Sequence, residues 1–70
     1  MQAIKITVNG LDQEIPSGTT VEGILDIMEE PVRHDMIVEV NGKFTHIKEY
    51  KATTFKEGDK LEVIYLDFGG

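Results

Sequence analysis

The residues best suited to chemistry lie at the end of this sequence, which reads Leu66-Asp67-Phe68-Gly69-Gly70. A terminal carboxylate reacts in another protein's active site only if it can be inserted there. Glycine fits a narrow channel because it has no Cβ. The tail from Leu66 onward spans roughly 17 Å when fully extended, at about 3.3 Å per residue. We therefore expect the Gly70 carboxylate to be the reactive group. Three more residues would thread the partner's channel: Gly69, Phe68 and Asp67. The alternative is a frayed chain end without function.

Other reactive side chains are scattered along the sequence. Cysteine is absent, so the chain has no thiolate for catalysis, metal binding or disulfide formation. His34 and His46 have no clustered metal-binding partners, and Ser17 has no neighbouring histidine to activate it. The glycines are dispersed at turns and form no phosphate-binding loop. We expect no catalytic residue, no metal and no bound cofactor in this chain.

Length and charge narrow the class of protein. A chain of 70 residues forms one small domain, which buries only about 60% of its unfolded surface and leaves little room for a catalytic cavity. The net charge of −6 disfavours nucleic acid as a partner, because nucleic-acid binding relies on basic patches. No apolar stretch has the length of a membrane span, and no signal peptide is recognisable. We expect a cytoplasmic monomer.

Alternating apolar and polar residues predict strands joined by tight turns. Residues 3–8 alternate and predict a half-buried strand. Asn9-Gly10 predicts a hairpin turn, because both residues tolerate positive φ. The returning strand is expected from about Gln13 to Ile15, ending at Pro16. The pattern recurs as a strand over 36–40, a turn at Asn41-Gly42, a strand over 43–47 and a last strand over 60–65.

One helix is predicted between the two hairpins. Four apolar residues at helical spacing form a stripe: Val21, Ile24, Leu25 and Met28. Thr19 and Glu22 fit a capping box at its start, and Pro31 predicts its end. Acidic residues occupy the opposite face and predict a solvated surface: Glu22, Asp26, Glu29 and Glu30.

Residues 48–54 lack a regular pattern, and Lys56-Glu57-Gly58-Asp59 predicts a turn. We expect three aromatic side chains to pack near this segment: Phe44, Tyr50 and Phe55. Two hairpins, a helix and a final strand together predict an α+β domain over residues 1–65, followed by a flexible tail over 66–70.

The last strand also predicts a docking surface. If Leu61, Val63 and Tyr65 face the helix, Glu62, Ile64 and Leu66 point to the opposite side of the sheet. Ile37 and Glu39 would lie beside them on the strand over 36–40. An exposed apolar patch of Ile37, Ile64 and Leu66 next to the tail predicts a partner-binding face. Isolated surface aliphatic residues are also common, and the reverse phase would exchange the two faces.

Nearly the whole chain resembles the ThiS/MoaD family of sulfur carriers, especially its thiamine-pathway branch. The resemblance rests on Ile6-Thr7-Val8-Asn9-Gly10, Pro16-Ser17-Gly18-Thr19-Thr20-Val21, Val38-Glu39-Val40-Asn41-Gly42, Lys56-Glu57-Gly58-Asp59-Lys60-Leu61-Glu62 and Gly69-Gly70. It implies a β-grasp (ubiquitin-like) fold, with a mixed sheet of four to five strands packed on one main helix.

The resemblance also implies a mechanism. A ThiF-like adenylating enzyme would use ATP and Mg²⁺ to convert the Gly70 carboxylate into an acyl-adenylate. A persulfide-bearing protein would supply sulfur and leave a thiocarboxylate on Gly70. A thiazole synthase or another sulfur-accepting enzyme would then consume it. The chain would be a protein cosubstrate rather than an enzyme.

Two departures from the family pattern leave the pathway open. Asp67 and Phe68 precede the glycines, where many carriers of this branch have a small or aliphatic residue. Residues 44–50 lack the Pro-Arg and Trp of many thiamine carriers. The alternatives are a carrier for another sulfur-containing product, the small subunit of molybdopterin synthase, a ubiquitin-like modifier of lysines, or a binding module with an inert tail.

Overall fold

The structure, a computed structural model, describes residues 2–30 and 35–66. One α-helix, α1 (Val21–Ile27), and a 3₁₀ turn, Ile47–Glu49, accompany five strands. The strands are β1 (Ala3–Val8), β2 (Leu11–Pro16), β3 (Met36–Val40), β4 (Lys43–Thr45) and β5 (Lys60–Tyr65). In these two ranges no helix is long and apolar enough to cross a membrane.

The five strands form one mixed sheet in the order β2-β1-β5-β3-β4. β1 and β5 run parallel at its centre, and the other neighbouring strands pair antiparallel. The first and last strands therefore meet inside the sheet, and the helix between them covers one face. This arrangement confirms the predicted α+β class and the mixed sheet packed on one helix.

Both Asn-Gly turns form as predicted, with positive φ at each of their two residues: Asn9, Gly10, Asn41 and Gly42. The strands that follow them differ from the prediction in length. β2 starts directly after its turn, with Leu11 opposite Val8, and is longer than predicted. β4 is shorter, because the Glu49 carboxylate accepts the N–H of His46 and a 3₁₀ turn begins there.

The core lies between α1 and the covered side of the sheet. Its members are Ile6, Val8, Ile15, Val21, Ile24, Leu25, Met36, Val38, Tyr50, Phe55, Leu61 and Val63. The predicted packing of Tyr50 and Phe55 is confirmed, and burial raises the pKa of the Tyr50 phenol. The prediction for Phe44 was wrong, because its side chain is 56% exposed.

The helix begins and ends differently from the prediction. Thr20, not Thr19, is the N-cap, and its hydroxyl oxygen accepts the N–H of Gly23 at 3.0 Å. The Thr19 hydroxyl instead donates to the Pro16 carbonyl. At the other end Glu29 adopts φ 60°. The N–H groups of Glu29 and Glu30 donate to the carbonyls of Asp26 and Leu25, a Schellman closure. Pro31, the predicted stop, lies outside the described residues.

The segment with no regular sequence pattern is ordered by the start of α1. The first N–H groups of a helix have no partner within it. Here Val21 N–H donates to the Thr53 carbonyl at 2.9 Å, and Glu22 N–H donates to the Tyr50 carbonyl at 3.1 Å. These bonds hold Tyr50 beneath the helix and thereby complete the core.

Candidate functional site

The sheet face opposite α1, here called the outer face, carries an exposed aliphatic pair. The register of β3 and β5 places Ile37 directly opposite Ile64. Their neighbours Val38 and Val63 are buried on the other side, so the predicted phase of β5 is confirmed. Ile64 is 42% exposed, and Ile37 is half-buried. The binding of a partner at this pair stays a prediction.

The chain is held by hydrogen bonds up to the base of the tail. Leu66 N–H donates to the Asp35 carbonyl at 2.7 Å, one step beyond the end of β5. The Tyr65 hydroxyl donates to the Glu30 carboxylate, which follows α1. Leu66 itself is half-buried. The predicted reactive and threading residues lie outside the described residues: Asp67, Phe68, Gly69 and Gly70.

A second row of outer-face residues lies next to the aliphatic pair. Glu39 on β3 is directly opposite Glu62 on β5 and directly opposite Phe44 on β4. The Phe44 ring makes a T-shaped contact with the His46 ring, with centroids 4.7 Å apart. Sequence reasoning placed Glu39 and Glu62 on this face but missed Phe44. Thr45 is buried, so alternation along β4 places its neighbour Phe44 on the outer face. This position could have been predicted from the pairing of β4 with β3 in the hairpin.

Two turn asparagines fix the strand that leads to the tail. Asn9 Oδ1 accepts the N–H of Val63 at 2.8 Å, and Asn41 Oδ1 accepts the N–H of Lys60 at 2.9 Å. Backbone bonds from Asn9 N–H to the Leu61 carbonyl and from Asn41 N–H to the Lys60 carbonyl accompany them. Both asparagines were predicted only as turn residues. They also bind β5 from its two sides.

The remaining polar groups of the described residues do not converge on a reaction centre. Within residues 2–30 and 35–66, no three side chains of the His, Asp or Glu type lie close enough to hold a metal. An open groove of about 220 Å³ lies at the end of α1, lined by Leu25, Asp26, Glu29 and Glu30. His46 contacts Phe44, and His34 lies outside the described residues. The candidate site is therefore the outer face beside the base of the tail, and its role in docking stays a prediction.

Parallel pairing of the first and last strands around a single covering helix defines a β-grasp, or ubiquitin-like, domain. The model of the ThiS family matches residues 4–70, so the chain belongs to this family and is a ThiS-type sulfur carrier. The crystal structure of the thiamine biosynthesis protein (ThiS) from Geobacter metallireducens is similar, with 29% identity and a TM-score of 0.78. The similarity covers 96% of this chain and 100% of that one. No curated protein sequence matches the chain.

Proposed function

We propose that this chain carries sulfur for thiazole formation in thiamine biosynthesis, and that the sulfur travels on the carboxyl group of Gly70. The observation that carries the proposal is the family match over residues 4–70, which includes both glycines. The similar protein from Geobacter metallireducens is a thiamine biosynthesis protein, and this similarity supports thiamine as the pathway.

The proposed chemistry has three steps. An oxygen of the Gly70 carboxylate attacks the α-phosphorus of ATP on a ThiF-like enzyme, and pyrophosphate leaves. The terminal sulfur of a persulfide on a donor protein attacks the activated acyl carbon, and AMP leaves. A thiol then cleaves the sulfur–sulfur bond by exchange, which forms a disulfide and releases the thiocarboxylate. A thiazole synthase consumes the thiocarboxylate.

The chain's own residues would bind and present rather than catalyse. The aliphatic pair Ile37 and Ile64, with Leu66, would dock the adenylating enzyme. ATP and Mg²⁺ would bind to that enzyme. The hydrogen bond of Leu66 to Asp35 would fix where the threading residues leave the sheet. We place the reaction in the cytoplasm, where ATP is available, with the carrier as a monomer.

The intact mass of the chain tests the proposal. The chain is incubated with ATP, a sulfide source and the adenylating enzyme of its own organism. We expect a gain equal to the replacement of one oxygen by sulfur. Deletion of Gly70 should abolish the gain, and so should omission of ATP. An unchanged mass with an active enzyme would contradict the proposal.

The same reaction mixture separates the alternatives. Isopeptide conjugates to lysines, without thiocarboxylate, would identify a ubiquitin-like modifier. Residues 44–50 and 67–68 depart from the pattern of many thiamine carriers, so the enzyme that accepts the sulfur is tested separately. Purified thiocarboxylate is therefore supplied to a thiazole synthase, and formation of the thiazole is expected. Tight copurification with a larger catalytic subunit would instead favour molybdopterin synthase.

A further inference from the structure

We infer that the row Glu62–Glu39–Phe44 on the outer face binds an arginine of the adenylating enzyme. The inference rests on the proposed function, because that function supplies the partner. It adds the chemistry of the contact. An apolar patch of the enzyme would cover Ile37 and Ile64, and a guanidinium group of the enzyme would lie over the neighbouring row.

The register of β3 and β5 brings two carboxylates together on the outer face. Glu39 and Glu62 are directly opposite on adjacent antiparallel strands. Side chains in such positions have Cβ atoms about 4.5–5.5 Å apart, and like charges there are destabilising. Lys60 lies two positions before Glu62 on the same face, opposite Asn41 and outside the row. The row therefore presents concentrated negative charge to whatever covers this face.

Phe44 favours arginine over lysine as the cation that binds this row. Its ring is exposed on the edge strand, is oriented by the His46 ring, and lies directly opposite Glu39. A guanidinium group is planar, stacks on aromatic rings, and bonds carboxylates through two parallel N–H donors. A lysine ammonium offers neither the plane nor the paired donors. The three side chains thus match the two properties that distinguish arginine.

The position of the row identifies the partner as the protein that receives the tail. The row is adjacent to the Ile37–Ile64 pair, and Leu66 at the base of the tail follows directly after the end of β5. A protein docked there would cover aliphatic and charged rows together while the tail enters its active site. The carboxylates disfavour an anionic partner such as a phosphate-rich surface, since like charges repel.

The test compares two variants with equal charge change. Glu39→Gln with Glu62→Gln removes both carboxylates of the row. The control, Glu22→Gln with Asp26→Asn, removes two exposed carboxylates from α1 on the other side of the molecule. Pyrophosphate release by the adenylating enzyme of the same organism gives kcat and the KM for each carrier. The assay is repeated at low and at high salt.

We expect the row variant to raise KM about tenfold with little change in kcat, and to weaken the salt dependence of kcat/KM. The control should stay within about twofold of the original carrier. The row variant should unfold at the same or a higher temperature, because the repulsion between Glu39 and Glu62 is relieved. A higher KM cannot then be attributed to loss of the fold.

Phe44 variants separate arginine from a merely cationic partner. Phe44→Leu keeps an apolar side chain without the aromatic face, and should raise KM about threefold. Phe44→Tyr keeps the ring and should restore the original KM. Equal effects of Leu and Tyr, or equal effects of the row and control variants, would overturn the inference. So would an unchanged KM in the row variant.

Failure of the inference is distinguishable from failure of the proposed function. If the original carrier supports no pyrophosphate release and gains no sulfur, the proposed function falls and the inference falls with it. If the carrier is adenylated normally and the row variant has the same KM, the function stands and only the arginine contact is refuted.

Discussion

The two faces of the sheet are built from alternate residues of the same strands, yet they differ in composition. On β5, Leu61 and Val63 are buried beneath α1, while Glu62 and Ile64 point to the outer face and are exposed. The covered face stabilises the fold, because its side chains are apolar and buried in the core. The outer face combines an exposed aliphatic pair with two carboxylates directly opposite each other.

This difference shows which residues folding alone explains. Exposed aliphatic side chains gain little from folding, and opposed like charges oppose it. Neither feature helps an isolated domain, and both lie beside the base of the tail. The covered face is therefore explained by stability, whereas the outer face is accounted for by the partner binding that we propose. Variants that affect only one property should separate the two faces.

Leu61→Ala on the covered face should have the largest effect. Leu61 is fully buried, so truncation leaves a cavity and should cost about 2–5 kcal/mol of unfolding free energy. A domain of this size has roughly 4–10 kcal/mol in total, so much of the stability would be lost. Urea denaturation measures the change. The control is Glu62→Gln on the same strand, which should stay within about 0.5 kcal/mol. Similar losses in both would contradict the distinction between the faces.

Asn9→Gly should have the next largest effect, because the Asn9 side chain binds β5. β5 is the central strand of the sheet and contributes residues to both faces. Glycine tolerates the positive φ of this position, so only the acceptor for the Val63 N–H is removed. An unsatisfied, partly buried donor should cost about 1–2 kcal/mol. Chemical denaturation measures the loss, and hydrogen exchange should show faster exchange at Val63. Asn9→Asp keeps an oxygen acceptor and serves as the control. Equal losses for Gly and Asp would assign the effect to the turn instead.

Glu29→Gly should stabilise α1, the helix over the covered face, without changing the outer face. Glu29 has φ 60° at the end of α1, a conformation that glycine adopts without strain. We expect a gain of about 0.5–1 kcal/mol in unfolding free energy, with an unchanged KM for the adenylating enzyme. Thermal unfolding and the pyrophosphate assay measure the two quantities. Glu29→Ala keeps the strain and should give no such gain. A gain of the same size in both variants would refute the explanation by φ.

Local patterns in the sequence were enough to predict most of the fold. The Asn-Gly pairs identify both hairpins, alternation identifies the strands, and the apolar stripe identifies α1. Each of these signals depends on residues close together in the chain. The phase of β5, and with it the Ile37–Ile64 pair, also follows from alternation once the helix is assigned to one face.

The features that were missed depend on contacts between distant residues. Asn9 and Val63 are 54 positions apart, and only the parallel pairing of β1 with β5 brings them together. Phe44 likewise joins Glu39 and Glu62, which were predicted to face outward, only through the registers of three strands. The choice of Thr20 over Thr19 as N-cap depends on the Pro16 carbonyl, which takes the Thr19 hydroxyl. No sequence period encodes these arrangements.

Ile64→Thr should have the smallest effect on folding and a clear effect on binding. Threonine keeps a β-branched side chain, and the position is already 42% exposed, so the unfolding free energy should change by no more than about 0.5 kcal/mol. The same change should raise the KM of the adenylating enzyme about tenfold, since an apolar side chain at the centre of the proposed docking patch is lost. Denaturation and the pyrophosphate assay, run on the same sample, measure both.

Leu11→Thr is the matched control for Ile64→Thr. Leu11 is 68% exposed, more than Ile64, but it lies on the edge strand β2, away from the base of the tail. Its replacement should leave both stability and KM unchanged. If Leu11 and Ile64 affect KM equally, exposure of any aliphatic residue matters, and the outer face has no special role. If only Ile64 does so, its exposure is explained by the partner, as the burial of Leu61 is explained by the fold.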